Sequence, residues 1–198
     1  MRPRIIWPLV TSTLIVLNLV AWFGVAWAYH LNPFAAQHSA LLLRVGALNG
    51  ELLGAGEWWR IITSQFLHVY FLHLLFNMAA LLFLGTLLER EFGPLRFAFI
   101  YLIGGSIGQL AGVIAAPQLV TSGASQAVMG LAGAAAFHMF RRRDAGRLQL
   151  VGLLSVIFIT MTLDIMAVGR PKTGHLAGLC AGALCGWGFE SRLKKKSV

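Results

Sequence analysis

Five side chains that can donate, accept or move a proton stand in stretches of this sequence that are otherwise apolar. They are His73, Asn77, Ser125, Asp164 and His175. Polar groups at membrane depth are expensive, and each is a functional-site candidate for that reason. Ser125 lies in "SGASQAVMG" (122–130), His175 in "TGHLAGLCAGALCG" (173–186), and His73 and Asn77 in "FLHVYFLHLLFNM" (66–78). Acyl transfer needs a nucleophile, a base and donors aimed at the developing oxyanion. A serine hydroxyl, a neutral imidazole, and a second imidazole beside a carboxamide are the right types for those three roles. Taken singly, each has a plainer reading: Ser125 as a helix N-cap, and His73 and Asn77 as polar contacts between helices.

The spacing narrows the choices. On a helix at 100° per residue, His73 and Asn77 lie about 40° apart and aim at one point, while His68 stands about 140° from His73. His68 therefore faces the preceding loop or a neighbouring element, if the helix reaches it at all. A metal site fits poorly: His68 and His73 are five apart rather than four, no Glu follows the first, and no third ligand is evident. These residues therefore do not point to a metal site. Gly174, Gly178, Gly182 and Gly186 repeat every four residues, a small-residue stripe that admits a second helix at close range. His175 falls within about 20° of Gly182 and Gly186 on the wheel, so its ring projects into that contact and asks for a hydrogen-bonding partner. Ser125, following Gly123 and Ala124, starts a short apolar segment. A helix beginning there offers free N–H groups and the positive dipole end beside the hydroxyl. Asp164, on the segment before His175, reads as a structural hydrogen-bonding group, with a third catalytic member as the other possibility.

These side chains need elements to hold them, and composition names the kind. With 58% hydrophobic residues and 12% charged ones, against about 25% charged in a soluble domain, the chain cannot coat a water-soluble globule. An all-α membrane domain over 1–198 is expected. Segments of about 20 apolar residues span a bilayer as helices, and six candidates occur near 5–29, 66–88, 95–116, 124–140, 148–168 and 174–190. Residues 31–64 mix Pro33, several glycines and charges with "EWWR", and read as a long extracytoplasmic loop with interfacial helical pieces; Trp58 and Trp59 suit the headgroup region. Putting both termini in the cytoplasm places Arg2, Arg4, Arg90, Arg96, the "RRRDAGR" cluster at 141–147 and a basic tail at 191–198 on one side. Only Arg44, Arg60, Arg170 and Lys172 then lie outside, as the positive-inside rule favours. The formal charge of +9 thus serves topology and contact with anionic lipid. Nucleic-acid binding is excluded, because neither a basic face interleaved with aromatics nor a reading motif is present. "MRPR", an apolar run and "AWA" (26–28) also fit a secretory signal, but the run is longer than a signal core, and an uncleaved first helix is expected. Cys180 and Cys185, five apart in one run, point to different sides of a helix and are read as small buried residues that do not pair.

Four pieces in this order resemble the rhomboid intramembrane serine proteases: "WWR" (58–60), "HVYFLHLLFN" (68–77), "GAS" (123–125) and "GHLAGLCAG" (174–182), with "LLEREFG" (87–93) also in keeping. The resemblance covers essentially the whole chain and implies a six-helix bundle. It implies Ser125 as nucleophile and His175 as general base. The oxyanion hole would be the Ser125 N–H with His73 and Asn77. His68, Trp59 and Arg60 would support the first loop, and Gly178 and Gly182 would hold the fourth and sixth spans together. It further implies transmembrane protein substrates cut in or near their membrane segments, no cofactor, and a multi-pass protein of a bacterial-type inner membrane. The family usually has Gly after the nucleophile and an aromatic four residues after it; Gln126 and Met129 stand there instead. Met129 can fill the aromatic's space, whereas Gln126 either narrows the site or adds an amide donor beside the oxyanion. A catalytically weak or inactive relative that binds or escorts membrane segments is the alternative. A solute transporter built on a broken helix ranks below both, since no repeat relates the two halves.

Overall fold

A computed structural model of the chain describes residues 8–142, 146–168 and 172–195, with the backbone alone for 164–168 and 191–195. Six long helices fall on the six expected segments: α1 (Leu9–Ala28), α5 (Phe71–Phe92), α6 (Pro94–Ala115), α7 (Ser125–Arg142), α8 (Arg147–Val168) and α9 (Thr173–Lys195). Three short helices, α2 (Ser39–Val45), α3 (Gly50–Gly54) and α4 (Arg60–Thr63), and a 3-10 turn at Ser64–Phe66 occupy the stretch between α1 and α5. Among the described residues there is no strand, only a single antiparallel bridge between Leu48 and Thr121. By length and apolarity α1, α5 and α6 are membrane-spanning candidates.

Two boundaries differ from the sequence reading. The second long helix begins at Phe71 rather than near residue 66, because Leu67 and Tyr70 are extended. His68 thus lies in a loop, off the helix that carries His73 and Asn77. At the other end of the chain α9 continues to Lys195, so the basic stretch expected as a tail from 191 starts as helix.

The long helices are joined by local signals. Gly93 (φ 81°) ends α5, its N–H donating to the Glu89 carbonyl, and Pro94 opens α6. A glycine tolerates that positive φ, and proline at the first helical position gives up an N–H that has no helical partner anyway. Packing is set by small residues. A Cβ on Gly130 of α7 would stand 2.9 Å from the Cα of Gly104 on α6. One on Gly182 or Gly178 of α9 would collide with the carbonyl oxygens of Gly130 and Gln126 on α7. Helix α7 is therefore enclosed by α6 on one side and α9 on the other, and from Ser125 to Ala135 every residue is buried. Glu89 ties α1 to α5: its carboxylate accepts from the Val10 and Thr11 N–H groups and from Thr11 Oγ1, at 2.7–2.9 Å. It satisfies donors that the first turn of a helix leaves open.

Candidate active site

Ser125 is the first residue of α7, and what fixes its position is the loop before it. Thr121 exchanges both backbone hydrogen bonds with Leu48 (2.7 and 3.2 Å), and the Gly50 N–H donates to the Pro117 carbonyl at 2.8 Å. Gly123 donates its N–H to the Ser64 carbonyl (2.9 Å), and its own carbonyl accepts from Gln109 Nε2 at 3.2 Å. Gly123 has φ 114°, and a Cβ there would meet His73 Cε1 at 2.9 Å. Both its conformation and the imidazole over it require glycine. The segment 121–124 is thus suspended from the 46–66 region by main-chain bonds. It delivers Ser125 at a helix start, where its N–H has no partner one turn back.

The residues around Arg60 make that region a rigid support. The guanidinium is buried and donates to the Leu43 carbonyl at 2.5 Å, to the Ala47 carbonyl at 2.9 Å and to Glu57 at 2.8 Å, while lying 4.4 Å over the Trp59 ring. Thr63 Oγ1 adds a bond to the Gly46 carbonyl (2.7 Å). Trp58 and Trp59 are themselves more than half exposed, as headgroup-level indoles would be.

The central contact joins two helices fifty residues apart: Ser125 Oγ and His175 Nε2 are 2.7 Å from each other, and both residues are buried. His175 is on the first turn of α9, where Gly174 and Gly178 let the helix close on α7 and α6. A cavity of about 240 Å³ opens over the pair, walled by His73, Gln126, Gly112, Ala115, Ala116, Leu119, Val120, Thr121, Ser122, Lys172, Thr173 and Gly174. The chemistry available is proton transfer from a hydroxyl to an imidazole in a site that is closed on the α7 side and open toward the cavity.

The sequence-derived oxyanion group is arranged differently from the wheel. His73 reaches the cavity wall, but Asn77 gives its amide N–H to His68 Nε2 (3.0 Å), and the Ala124 N–H points to the same nitrogen at 3.4 Å. The His68 and His73 rings meet edge to face at 5.2 Å. His68, which the wheel turned away, is the link between Asn77, His73 and the chain entering Ser125. An Nε2 that accepts two N–H groups belongs to the tautomer with its proton on Nδ1. Met129 is fully buried. The Asp164 side chain lies outside the described residues. Gln65 and Gln109, buried and bonded to Ser106, the Ile61 carbonyl and the Gly123 carbonyl, escaped the sequence reading. Their only signal was a polar residue in an apolar run. Cys180 and Cys185 are both free thiols, but neither is buried as expected: Cys180 is exposed and Cys185 half-buried.

Gln126 is the residue with the least expected setting. Its stem lies in space left by two glycines: a Cβ on Gly108 would stand 2.6 Å from Gln126 Cβ, and one on Gly174 would stand 3.5 Å from its Cγ. The amide turns back over the first turn of α7, bringing Oε1 to 3.1 Å from Ser125 Oγ.

Comparison with known proteins gives a consistent picture. The Rhomboid domain family matches residues 55–192. The chain is 33% identical to YdcA of Bacillus subtilis over 174 residues, covering 86% of this chain and 85% of that protein. It is 34% identical to the rhomboid protease GluP of the same organism over 143 residues, 71% of this chain and 28% of GluP. It is also 30% identical over 149 residues to a plant relative named inactive RHOMBOID-like protein 8, from Arabidopsis thaliana, covering 75% of this chain and 42% of the relative. The chain thus spans about a quarter of GluP and most of YdcA.

Proposed function

The chain belongs to the rhomboid family, and from that premise we propose that it is an intramembrane serine protease working through Ser125 and His175. Family membership and the apolar helices make it an integral, multi-pass membrane protein related to proteases. The observation that carries the catalytic reading is the 2.7 Å contact between Ser125 Oγ and His175 Nε2 beneath an open cavity.

In the proposed reaction Oγ attacks the scissile carbonyl carbon as its proton passes to His175 Nε2. The carbonyl π pair moves onto oxygen, where the Ser125 N–H and His73 face it; Asn77 contributes through its bond to His68. Collapse of the tetrahedral species breaks the C–N bond, and His175 returns the proton to the leaving amine. Water then repeats the sequence on the acyl ester, regenerating the hydroxyl and releasing the acid. Substrates are transmembrane proteins, cut in or near a membrane segment. All six long helices span, with both termini in the cytoplasm of a bacterial-type inner membrane, so the cavity opens on the extracytoplasmic side. The site calls for no cofactor.

The test is cleavage of a single-span reporter by the purified protein in detergent, alongside Ser125→Ala and His175→Ala. Equal cleavage by all three would sink the reading. A second reading, a catalytically silent relative that binds or escorts membrane segments, is favoured by the Gln126 contact with the nucleophile. Labelling by a serine-directed fluorophosphonate that vanishes in Ser125→Ala decides against it.

A further inference from the structure

The Ser125 hydroxyl carries one proton and stands within hydrogen-bond reach of two side chains. His175 Nε2 is 2.7 Å from Oγ, and Gln126 Oε1 is 3.1 Å from it. Attack on a carbonyl requires that proton to travel to Nε2. While Oγ donates to Oε1, Nε2 can meet Oγ only as a donor, and the three groups form the chain Nε2–H···Oγ–H···Oε1. Every partner in that chain is satisfied, and the nucleophile's proton points away from its base. Gln126 is not a surface residue swinging past: it is buried, and its stem is seated against Gly108 and Gly174. Those glycines lie on α6 and α9, so both walls of the site make room for this one side chain.

We infer that Gln126 is a positioning residue that restrains the nucleophile, its amide oxygen holding the Ser125 hydroxyl in a resting orientation turned away from His175. The inference rests on the reading of Ser125 and His175 as the dyad and deepens it. The protein is then a throttled hydrolase rather than a silent one. Its intrinsic turnover is set by how often the hydroxyl leaves Oε1 for Nε2. A substrate backbone entering the cavity can compete for the same amide and so release the hydroxyl where it is needed.

Three side chains of similar length separate this from the other roles a glutamine could take. Met keeps the bulk and removes both the acceptor and the donor. Glu keeps an acceptor and removes the donor. The measurement is the second-order rate of Ser125 labelling by a fluorophosphonate in detergent, with kcat and KM on a single-span reporter. Thermal midpoints are taken on the same samples. For Gln126→Met the inference expects labelling and kcat to rise about fivefold, the worth of one neutral hydrogen bond, with KM little changed. For Gln126→Glu it expects both to stay at or below the wild-type rate. Slower labelling in both variants would overturn it, because the amide would then be a donor that assists the nucleophile. Unchanged labelling and kcat with only a shifted thermal midpoint would also overturn it, leaving a packing role. Wild type that labels while Gln126→Met labels no faster defeats the inference but leaves the dyad standing. Absence of labelling in wild type and both variants removes the dyad reading and the inference with it.

Discussion

Helices α7 and α9 meet through a histidine at both ends of their shared seam, and the two ends have opposite character. Near the start of both helices His175 of α9 meets a neutral hydroxyl, Ser125 of α7, at 2.7 Å under an open cavity. Near their other end His138 of α7 meets a carboxylate, Glu190 of α9, at 2.5 Å, with Glu91 of α5 at 3.7 Å from its second nitrogen and Arg142 beyond at 3.2 Å from Glu91. The His138 ring also packs edge to face on Phe92 at 5.4 Å. A histidine enclosed by carboxylates and an aromatic ring holds three helices in register. His175 instead meets a hydroxyl at the edge of a cavity whose lining also includes Lys172. The same residue type on the same helix pair thus bonds a carboxylate at one end and the proposed nucleophile at the other.

Breaking the proposed chemical end should have the largest effect. Ser125→Ala and His175→Ala should each lower reporter cleavage by about a thousandfold or more, since members of a catalytic unit are lost together. His138→Ala should retain cleavage in the fraction that remains folded. Parallel turnover measurements at matched folded concentration check the contrast, and comparable losses at both histidines would erase it. Next comes the seam between the two ends. Gly182→Val places a side chain into the Gly130 carbonyl, and backbone cannot yield as a side chain does. A loss of about 3 kcal/mol, the upper range for overpacking, should appear as a lower thermal midpoint in detergent. Gly24→Ala on α1, where a Cβ meets nothing within 4 Å, should leave the midpoint near wild type.

Smaller effects sharpen the comparison. Arg60→Ala should cost about 2 kcal/mol, because the buried Ala47 carbonyl and the partly buried Leu43 carbonyl lose a charged donor. It should also cut kcat, since the loop that suspends residues 121–124 would loosen. Chemical denaturation and turnover on the same sample would test both; an unchanged kcat would separate the support from the site. At the far end, Glu190→Gln should cost about 1 kcal/mol with no change in kcat per folded molecule. A charge-assisted bond becomes a neutral one there, and the pair is remote from the cavity.

The long helices were legible in the sequence because each is a run of apolar residues of bilayer length, and that signal is local. Helix α7 could be read from "GASQAVMG" as a short, small-residue helix starting at the serine for the same reason. The first loop was legible only as a loop. Its three short helices depend on Arg60 reaching back to Leu43 and Ala47 across thirteen or more residues, and no local pattern encodes that. The start of α5 was misplaced because the aromatic and apolar residues of "FLHVYF" extend the hydropathy past the true end of the helix. His68 lies in the loop before α5, so its bond to Asn77 has no signal in helical spacing. The setting of Gln126 could not be foreseen, since the room it fills is supplied by Gly108 and Gly174 on two other helices.

By itself, the sequence determined that this chain is a membrane-embedded helical protein with a serine and a histidine on small-residue helices, because apolar length and glycine spacing act within a segment. Only the tertiary structure decided which polar atoms meet. It brought Ser125 to His175 across fifty residues, hung the serine from the first loop, joined Asn77 to His73 through His68, and turned the Gln126 amide onto the nucleophile. Hydrogen bonds are short and directional, so they are fixed only when separate helices close to within a few ångströms, and that closeness belongs to the fold rather than to any one segment.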